Sequence, residues 1–276
     1  MNAKEQARAA AQKAATMLKG RLSPDAQPRV GLILEGEWAS ALKLQDACED
    51  PLEIYSGFDE LEELGKYERG VTCGALNGCW VVAVKGDLHL DEDYTREGAM
   101  AKMVRLRIEM LVAMGVDRFI LTNEASGIAV DSAVGEVVMV NSFITLHLSR
   151  MPVYGNEPFV PEEALAPDWR GAAQRAASAA KTGFSLKSGD LAMARYPVTR
   201  PHDRQALRNQ GATVVGKGSL PEAGVLGAFK GTASAVCLSL VTDTDRETNT
   251  RLNRRRLREV RAHLEPFLTQ LVANMA

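Results

Sequence analysis

The sequence has few of the residues that usually mark a metal site or a disulfide framework. Its 276 residues include four cysteines and four histidines. The cysteines form no CxxC pair and the histidines form no HxxxH or HExxH pattern, so the sequence predicts structural thiols, no metal site and no cofactor. It also lacks an apolar run of about 20 residues and the apolar core of a signal peptide, which predicts a cytoplasmic protein that does not bind membranes.

The chain also lacks a strong excess of either charge. Its formal net charge is -2, with 25% charged and 46% hydrophobic residues, which argues against nucleic acid as the main partner. Arginines are nevertheless concentrated near the C-terminus, at Arg251, Arg254, Arg255, Arg256, Arg258 and Arg261. Apolar residues at helical spacing lie among them, so we interpret these arginines as the solvated face of the last helix.

Apolar runs and helix-forming segments alternate along the chain. The predicted strands are Val30–Leu34, Trp80–Val84, Arg118–Thr122, Val137–Leu146, Asp190–Tyr196, Thr213–Val215 and Ala233–Val241. The predicted helices are Thr95–Met114, Ala164–Ala180, Arg204–Gln210 and Leu252–Asn274. This order predicts a single α/β domain over residues 29–276, with a twisted, mixed and mostly parallel sheet flanked by helices. An N-terminal helix and loop, residues 1–28, precede it.

Acidic residues follow several of these strands. Glu35 and Glu37 come directly after the first strand, Glu124 follows the third, and four acids lie in the run Gly86–Tyr94. Ligands of open α/β sheets bind at the carboxyl ends of the strands. If the fold brings Glu35, Asp87 and Glu124 together, the cluster raises the pKa of at least one carboxyl group or recruits a cation.

Six segments at or near the predicted strand ends follow one another in a recognisable order: Gly31–Leu34, Gly86–Tyr94, the turn-like Leu121–Gly127, Pro201–Gly216, Val215–Glu222 and Ser239–Thr242. Taken in this order, they resemble the trimeric purine nucleoside phosphorylases. The resemblance implies a phosphorylase-like α/β fold and a homotrimer. It also implies a purine nucleoside or a related small molecule as ligand, with phosphate as a further candidate.

The residues that the resemblance places around phosphate are altered. Glu35, Gly36 and Glu37 stand where the family has glycine, serine and glycine, Asp87 replaces its arginine, and Glu124 replaces its alanine. Of the family's phosphate ligands, only His89 is clearly kept. Since a phosphate dianion would meet several carboxylates, tight binding in the usual pose is not expected.

The positions that the resemblance assigns to the nucleoside are altered as well. Thr199 replaces the glutamate that binds the purine, and Asp243 replaces the asparagine at purine N7. Asp91 and Lys217 replace the tyrosine and methionine near the ribose, while Ser219 is placed to reach a sugar hydroxyl. Candidate catalytic residues are therefore His89 and Asp243, and candidate substrate-binding residues are Thr199, Ser219, Glu92, Asp91 and Lys217.

Three functions remain open from the sequence. The first is glycosyl transfer between a purine nucleoside and phosphate, at a rearranged site. The second is a non-catalytic or regulatory role on the same fold. The third is a phosphate-independent nucleoside hydrolase or a cation-assisted reaction, in which carboxylates activate water or hold a cation.

Overall fold

A computed structural model describes residues 3–50, 70–86, 97–145, 160–194, 198–246 and 249–276. The strands are β1 (Val30–Leu34), β2 (Gln45–Asp50), β3 (Val71–Leu76), β4 (Cys79–Lys85), β5 (Arg118–Gly127), β6 (Val137–Ile144), β7 (Leu186–Met193), β8 (Ala212–Gly216) and β9 (Ser234–Thr244). The α-helices are α1 (Ala3–Lys19), α2 (Gly36–Ala41), α3 (Glu97–Met114), α4 (Pro167–Ala179), α5 (Pro201–Asn209), α6 (Leu220–Gly227) and α7 (Thr250–Met275). A 3-10 helix, Pro161–Ala164, precedes α4.

The strands form one mixed sheet in the order β2-β3-β4-β1-β5-β8-β7-β6-β9. Strand β1 is parallel to β4 and β5, and β5 is parallel to β9. Because β9 also pairs with β6, strands β5, β8, β7, β6 and β9 form a closed, barrel-like arrangement. The predicted α/β fold with a mixed sheet is confirmed.

Strand β1 lies between β4 and β5, where the open part of the sheet meets the closed ring. All five of its residues are buried, as expected for a parallel strand that is covered on both faces. Gly31 lets α3 and β5 approach closely, since a Cβ atom there would lie 3.0–3.2 Å from Val116, Phe119 and Leu111. Strand β1 therefore delivers residues 35–37 to a fixed place at its carboxyl end.

Helices cover both faces of the sheet. One hydrophobic cluster joins α1, α3 and α6 to the sheet, and a second joins α2, α4 and α7 to the opposite face. Helix α1 contributes Ala11, Ala14, Ala15 and Leu18 to the first cluster, so the helix predicted over this segment belongs to the main core. No helix within the described ranges is long and apolar enough to cross a membrane.

The structure corrects several predicted boundaries. The predicted turn Leu121–Gly127 is the second half of β5, which continues to Gly127 because it pairs with β9 and β8. Helix α4 begins at Pro167 rather than Ala164, and β7 spans Leu186–Met193 rather than Asp190–Tyr196. Four elements were not predicted: α2, β2, β3 and α6.

Candidate active site

The residues after β1 turn directly into helix α2. Gly36 has a positive φ of 49°, which favours glycine, and it lets the chain change direction between Glu35 and Glu37. The Glu37 backbone N–H donates a hydrogen bond of 2.7 Å to Oε1 of Glu124. The same carboxylate fills the space beside Gly36, where a Cβ atom would lie 2.0 Å from that oxygen. A carboxylate from β5 therefore occupies the β1–α2 loop.

Helix α7 supplies an arginine to this loop. Arg261 Nε donates a hydrogen bond to Oε2 of Glu37 and forms an ion pair with it. This hydrogen bond raises the pKa of the Arg261 guanidinium, desolvation opposes the rise, and the charges of Glu37 and Glu124 add to it. The sequence placed Arg261 on a solvated face. Its side chain is 42% exposed, and the ion pair with Glu37 joins this face of α7 to α2.

Glu35 lies next to the loop between β8 and α6. Its side chain is buried, and a Cβ atom at Gly218 would lie 2.2 Å from its Oε1. Asn123 Nδ2 donates to the Gly218 carbonyl over 3.1 Å, which ties β5 to the same loop. Glu35 thus lies against Gly218, whereas Glu124 contacts Gly36 and the Glu37 N–H. Asp87, the third carboxylate of the predicted cluster, lies outside the described residues.

Glu35 also helps to define the surroundings of a buried thiol. Burial raises the pKa of Cys237 to about 12, the nearby Ser219 hydroxyl opposes this rise, and the charges of Glu222 and Glu35 add to it. Ser219, proposed to reach a sugar hydroxyl, is buried and has a positive φ of 69°. The Cys237 thiol is therefore protonated at neutral pH and is not a nucleophile.

Asp243, near the end of β9, belongs to an ion-pair network with α5. Its Oδ1 lies 3.1 Å from Nη2 of Arg204, and its Oδ2 accepts a hydrogen bond of 2.8 Å from Ser126. Arg204 also contacts Asp245 over 2.7 Å, and Arg208 contacts the same carboxylate over 2.9 Å. The carboxylate of Asp243, which the resemblance places at purine N7, is thus bound to the buried side chain of Arg204.

The remaining predicted residues are at the edges of this region. Thr199 is exposed just before α5, and Lys217 is half-buried just after β8. Asp87, His89, Asp91 and Glu92 lie outside the described residues. In the described part of the chain, no group of three or more His, Cys, Asp or Glu is arranged to hold a metal ion.

Sequence reasoning missed two arginines that organise the region. The sequence analysis included Arg204 and Arg107 in predicted helices but gave neither residue a role. Arg107 is buried and donates from Nη1 to the Gly86 carbonyl over 2.9 Å, which fixes the end of β4. An arginine in an otherwise apolar helical stretch is a signal that could have found Arg107, because a buried arginine needs partners, whereas α5 around Arg204 is polar and carries no such signal.

The mixed sheet, its closed ring of strands and the helices on both faces define a single-domain α/β protein. The sequence model of the phosphorylase superfamily matches residues 40–275. The chain therefore belongs to the phosphorylase superfamily.

Individual relatives refine this assignment. Purine nucleoside phosphorylase 1 of Bacillus subtilis is 27% identical over 227 residues, which cover 76% of this chain and 77% of that protein. The Schistosoma mansoni purine nucleoside phosphorylase in complex with adenosine has a similar fold, with a TM-score of 0.75 at 20% identity over 95% of both chains. The complex of a Schistosoma enzyme with guanosine gives 0.72 at 21% identity over 94% of this chain and 96% of that one. These matches confirm the predicted resemblance to purine nucleoside phosphorylases.

Proposed function

We propose that the protein hydrolyses the glycosidic bond of a purine nucleoside, or of a closely related small molecule, without phosphate. Family membership supports the ligand class, since the similar structures include complexes with adenosine and guanosine. In this reaction the bond between C1′ and the purine nitrogen breaks and its electron pair stays with the purine. The water oxygen bonds to C1′, the water proton passes to the purine, and the products are free purine and free sugar.

The contact between Glu124 and the β1–α2 loop carries this proposal. The resemblance assigns backbone N–H groups of this loop to phosphate, and here the Glu37 N–H donates to Glu124 instead. Glu37 contributes a second carboxylate, while Arg261 supplies one guanidinium. Each close contact of phosphate with a carboxylate costs about 1 to 4 kcal/mol at 4 Å. Phosphate bound in the usual pose is therefore disfavoured.

A second candidate is a non-catalytic member of the family. The contacts of Asp243 favour it, because Arg204 and Ser126 hold the carboxylate that stands in the position assigned to purine N7. An acceptor held in this way does not donate a hydrogen bond to a purine leaving group. Such a protein binds the nucleoside without releasing the base.

Product analysis separates these functions. The full chain is incubated with inosine, guanosine or adenosine, with and without phosphate, and free purine, ribose and ribose 1-phosphate are quantified. The proposal predicts equal purine release in both conditions and ribose as the sugar product. Ribose 1-phosphate formed only when phosphate is present contradicts it, and nucleoside binding without release of purine identifies the non-catalytic member.

The assembly and location are proposed from the sequence. The resemblance supports a homotrimer, and we propose a cytoplasmic location. Site roles for His89, Asp91 and Glu92 likewise rest on the resemblance alone.

A further inference from the structure

Four arginines of α7 lie on one face of the helix. Arg251, Arg254, Arg258 and Arg261 are spaced by three, four and three residues. At this spacing their side chains share one side of the helix, within about one quarter of its circumference. We call them the arginine stripe. Its last member, Arg261, contacts Glu37 in the β1–α2 loop, so the stripe extends from the candidate active site.

The arginines of α7 differ in how their charges are compensated. Arg255 and Arg256 form ion pairs with Glu259, over 3.1 and 3.7 Å. Within the described ranges no carboxylate forms an ion pair with Arg251, Arg254 or Arg258, and all three are exposed. These three side chains and Thr250 line an open pocket of about 420 Å³. Three like charges therefore surround one space, and the described part of the chain supplies no ion-pair partner for them.

We propose that this pocket binds the phosphate ester of a nucleoside monophosphate whose sugar and base occupy the candidate active site. The inference rests on the proposed function and names its substrate class. A phosphate monoester carries about 1.5 to 2 negative charges, and arginine guanidinium groups bind its oxygens through paired N–H donors. The Thr250 hydroxyl adds a further donor.

The distance along α7 suits such a ligand. At a rise of 1.5 Å per residue, Arg258 lies about 4.5 Å and Arg254 about 10 Å from Arg261 along the helix axis. This separation corresponds to about the length of a ribose with its ester group. Glu124 occupies the β1–α2 loop, where its carboxylate repels a phosphate group. The arginines of the pocket attract the same group, so the ester is expected at the pocket and not at the loop.

Calorimetric binding to the full chain tests the inference with matched arginine variants. The ligands are inosine, inosine 5′-monophosphate and inorganic phosphate, and the proteins are wild type, Arg254→Gln/Arg258→Gln and Arg255→Gln/Arg256→Gln. Both variants lose two positive charges from the same helix, but only the first removes pocket residues. We expect wild type to bind the monophosphate at least tenfold more tightly than inosine. The Arg254→Gln/Arg258→Gln variant should lose this preference with unchanged inosine affinity, while the Arg255→Gln/Arg256→Gln variant keeps it.

Three results of this titration overturn the inference, and a further titration with a single-stranded oligonucleotide supplies a fourth test. The three results are equal affinity of wild type for inosine and its monophosphate, an equal effect of both variants, and binding of inorganic phosphate as tight as that of the monophosphate. Tighter binding of a single-stranded oligonucleotide than of the monophosphate also overturns it, in favour of a nucleic-acid surface.

The cleavage assay is independent of this result. Phosphate-independent release of purine with no monophosphate preference overturns only the pocket assignment. Tight monophosphate binding together with phosphate-dependent cleavage overturns only the proposed hydrolysis.

Discussion

The partner of each charged side chain decides what the candidate site can do. Glu37 and Glu124 are 87 residues apart in the sequence, and Glu37 and Arg261 are 224 apart. Acids at strand ends were visible in the sequence because they follow apolar runs. Their partners were not visible, because a carboxylate at a strand end has the same local pattern whether it faces water, an N–H group or an arginine.

Asp243 stabilises the fold by holding Arg204. The Arg204 side chain is 9% exposed and that of Asp243 is 45% exposed, so the interaction is only partly screened by water. Asp243→Asn keeps the shape but removes the charge, while Asp245 still contacts Arg204. We expect the free energy of unfolding, measured in urea, to fall by about 1 to 2 kcal/mol.

Glu259→Gln is the matched control for this prediction. It removes a carboxylate from exposed ion pairs with Arg255 and Arg256, and should cost about 0.5 kcal/mol or less. Equal losses of unfolding free energy in Asp243→Asn and Glu259→Gln would show that the ion pair between Asp243 and Arg204 does not stabilise the fold.

Cys237 makes stability depend on pH in the alkaline range. Burial raises the pKa of its thiol from 9.0 to about 12 in the folded chain. The folded chain therefore keeps the proton where the unfolded chain has lost it. This stabilisation is complete below about pH 9 and is lost as the pH rises towards 12.

Urea unfolding between pH 8 and pH 10.5 tests this effect. Above about pH 9 the wild-type unfolding free energy should fall more steeply than that of Cys237→Ala, by up to about 1.4 kcal/mol per pH unit. Cys79→Ala, which removes a half-buried thiol, is the control. Identical pH slopes for wild type and Cys237→Ala would contradict the assignment.

The sequence predicted those strands and helices whose hydrophobic pattern extends over enough residues to be recognised. Strand β1 is a bounded apolar run, and α7 has apolar residues at helical spacing over 26 residues. Helix α6 was missed because all eight of its residues are buried, so it shows no alternation between polar and apolar faces. Helix α2 has six residues, too few to show a helical period.

Helix α1 should be part of the cooperative fold rather than an accessory segment. Ala15 is fully buried where α1 packs on α3. Ala15→Glu introduces both volume and charge at this contact, and we expect it to lower the unfolding free energy by about 2 to 4 kcal/mol. Ala9→Glu, on the exposed side of the same helix, should change it by about 0.5 kcal/mol or less. A similar small effect at both positions in urea unfolding would show that α1 is not docked.

The whole molecule combines an open sheet with a closed ring of strands. The alternating strands and helices predicted the α/β class and a mixed sheet. The ring could not be predicted, because it depends on β9 pairing with both β5 and β6, which local patterns do not encode. It brings the ends of β5 and β9 together, and thus places Ser126 beside Asp243.

The proposed homotrimer is open to a direct mass measurement. A trimer of the 29.9-kDa chain has a mass of about 90 kDa. Size-exclusion chromatography with light scattering should give this mass across a tenfold dilution. A mass near 30 kDa at all concentrations would contradict the proposal.

The central claim is that Glu124 takes the place of phosphate in a phosphorylase scaffold. Phosphate binding by titration calorimetry, with Glu124→Ala, Glu124→Gln and Glu163→Ala beside wild type, tests it most directly. Glu124→Ala frees the Glu37 N–H and restores the family's alanine, Glu124→Gln keeps an acceptor but removes the charge, and Glu163→Ala removes a surface carboxylate. We predict equally weak phosphate binding in wild type and Glu163→Ala, and binding at least tenfold tighter in Glu124→Ala than in either of them or in Glu124→Gln. Tight phosphate binding by wild type, unchanged in Glu124→Ala, would contradict the account.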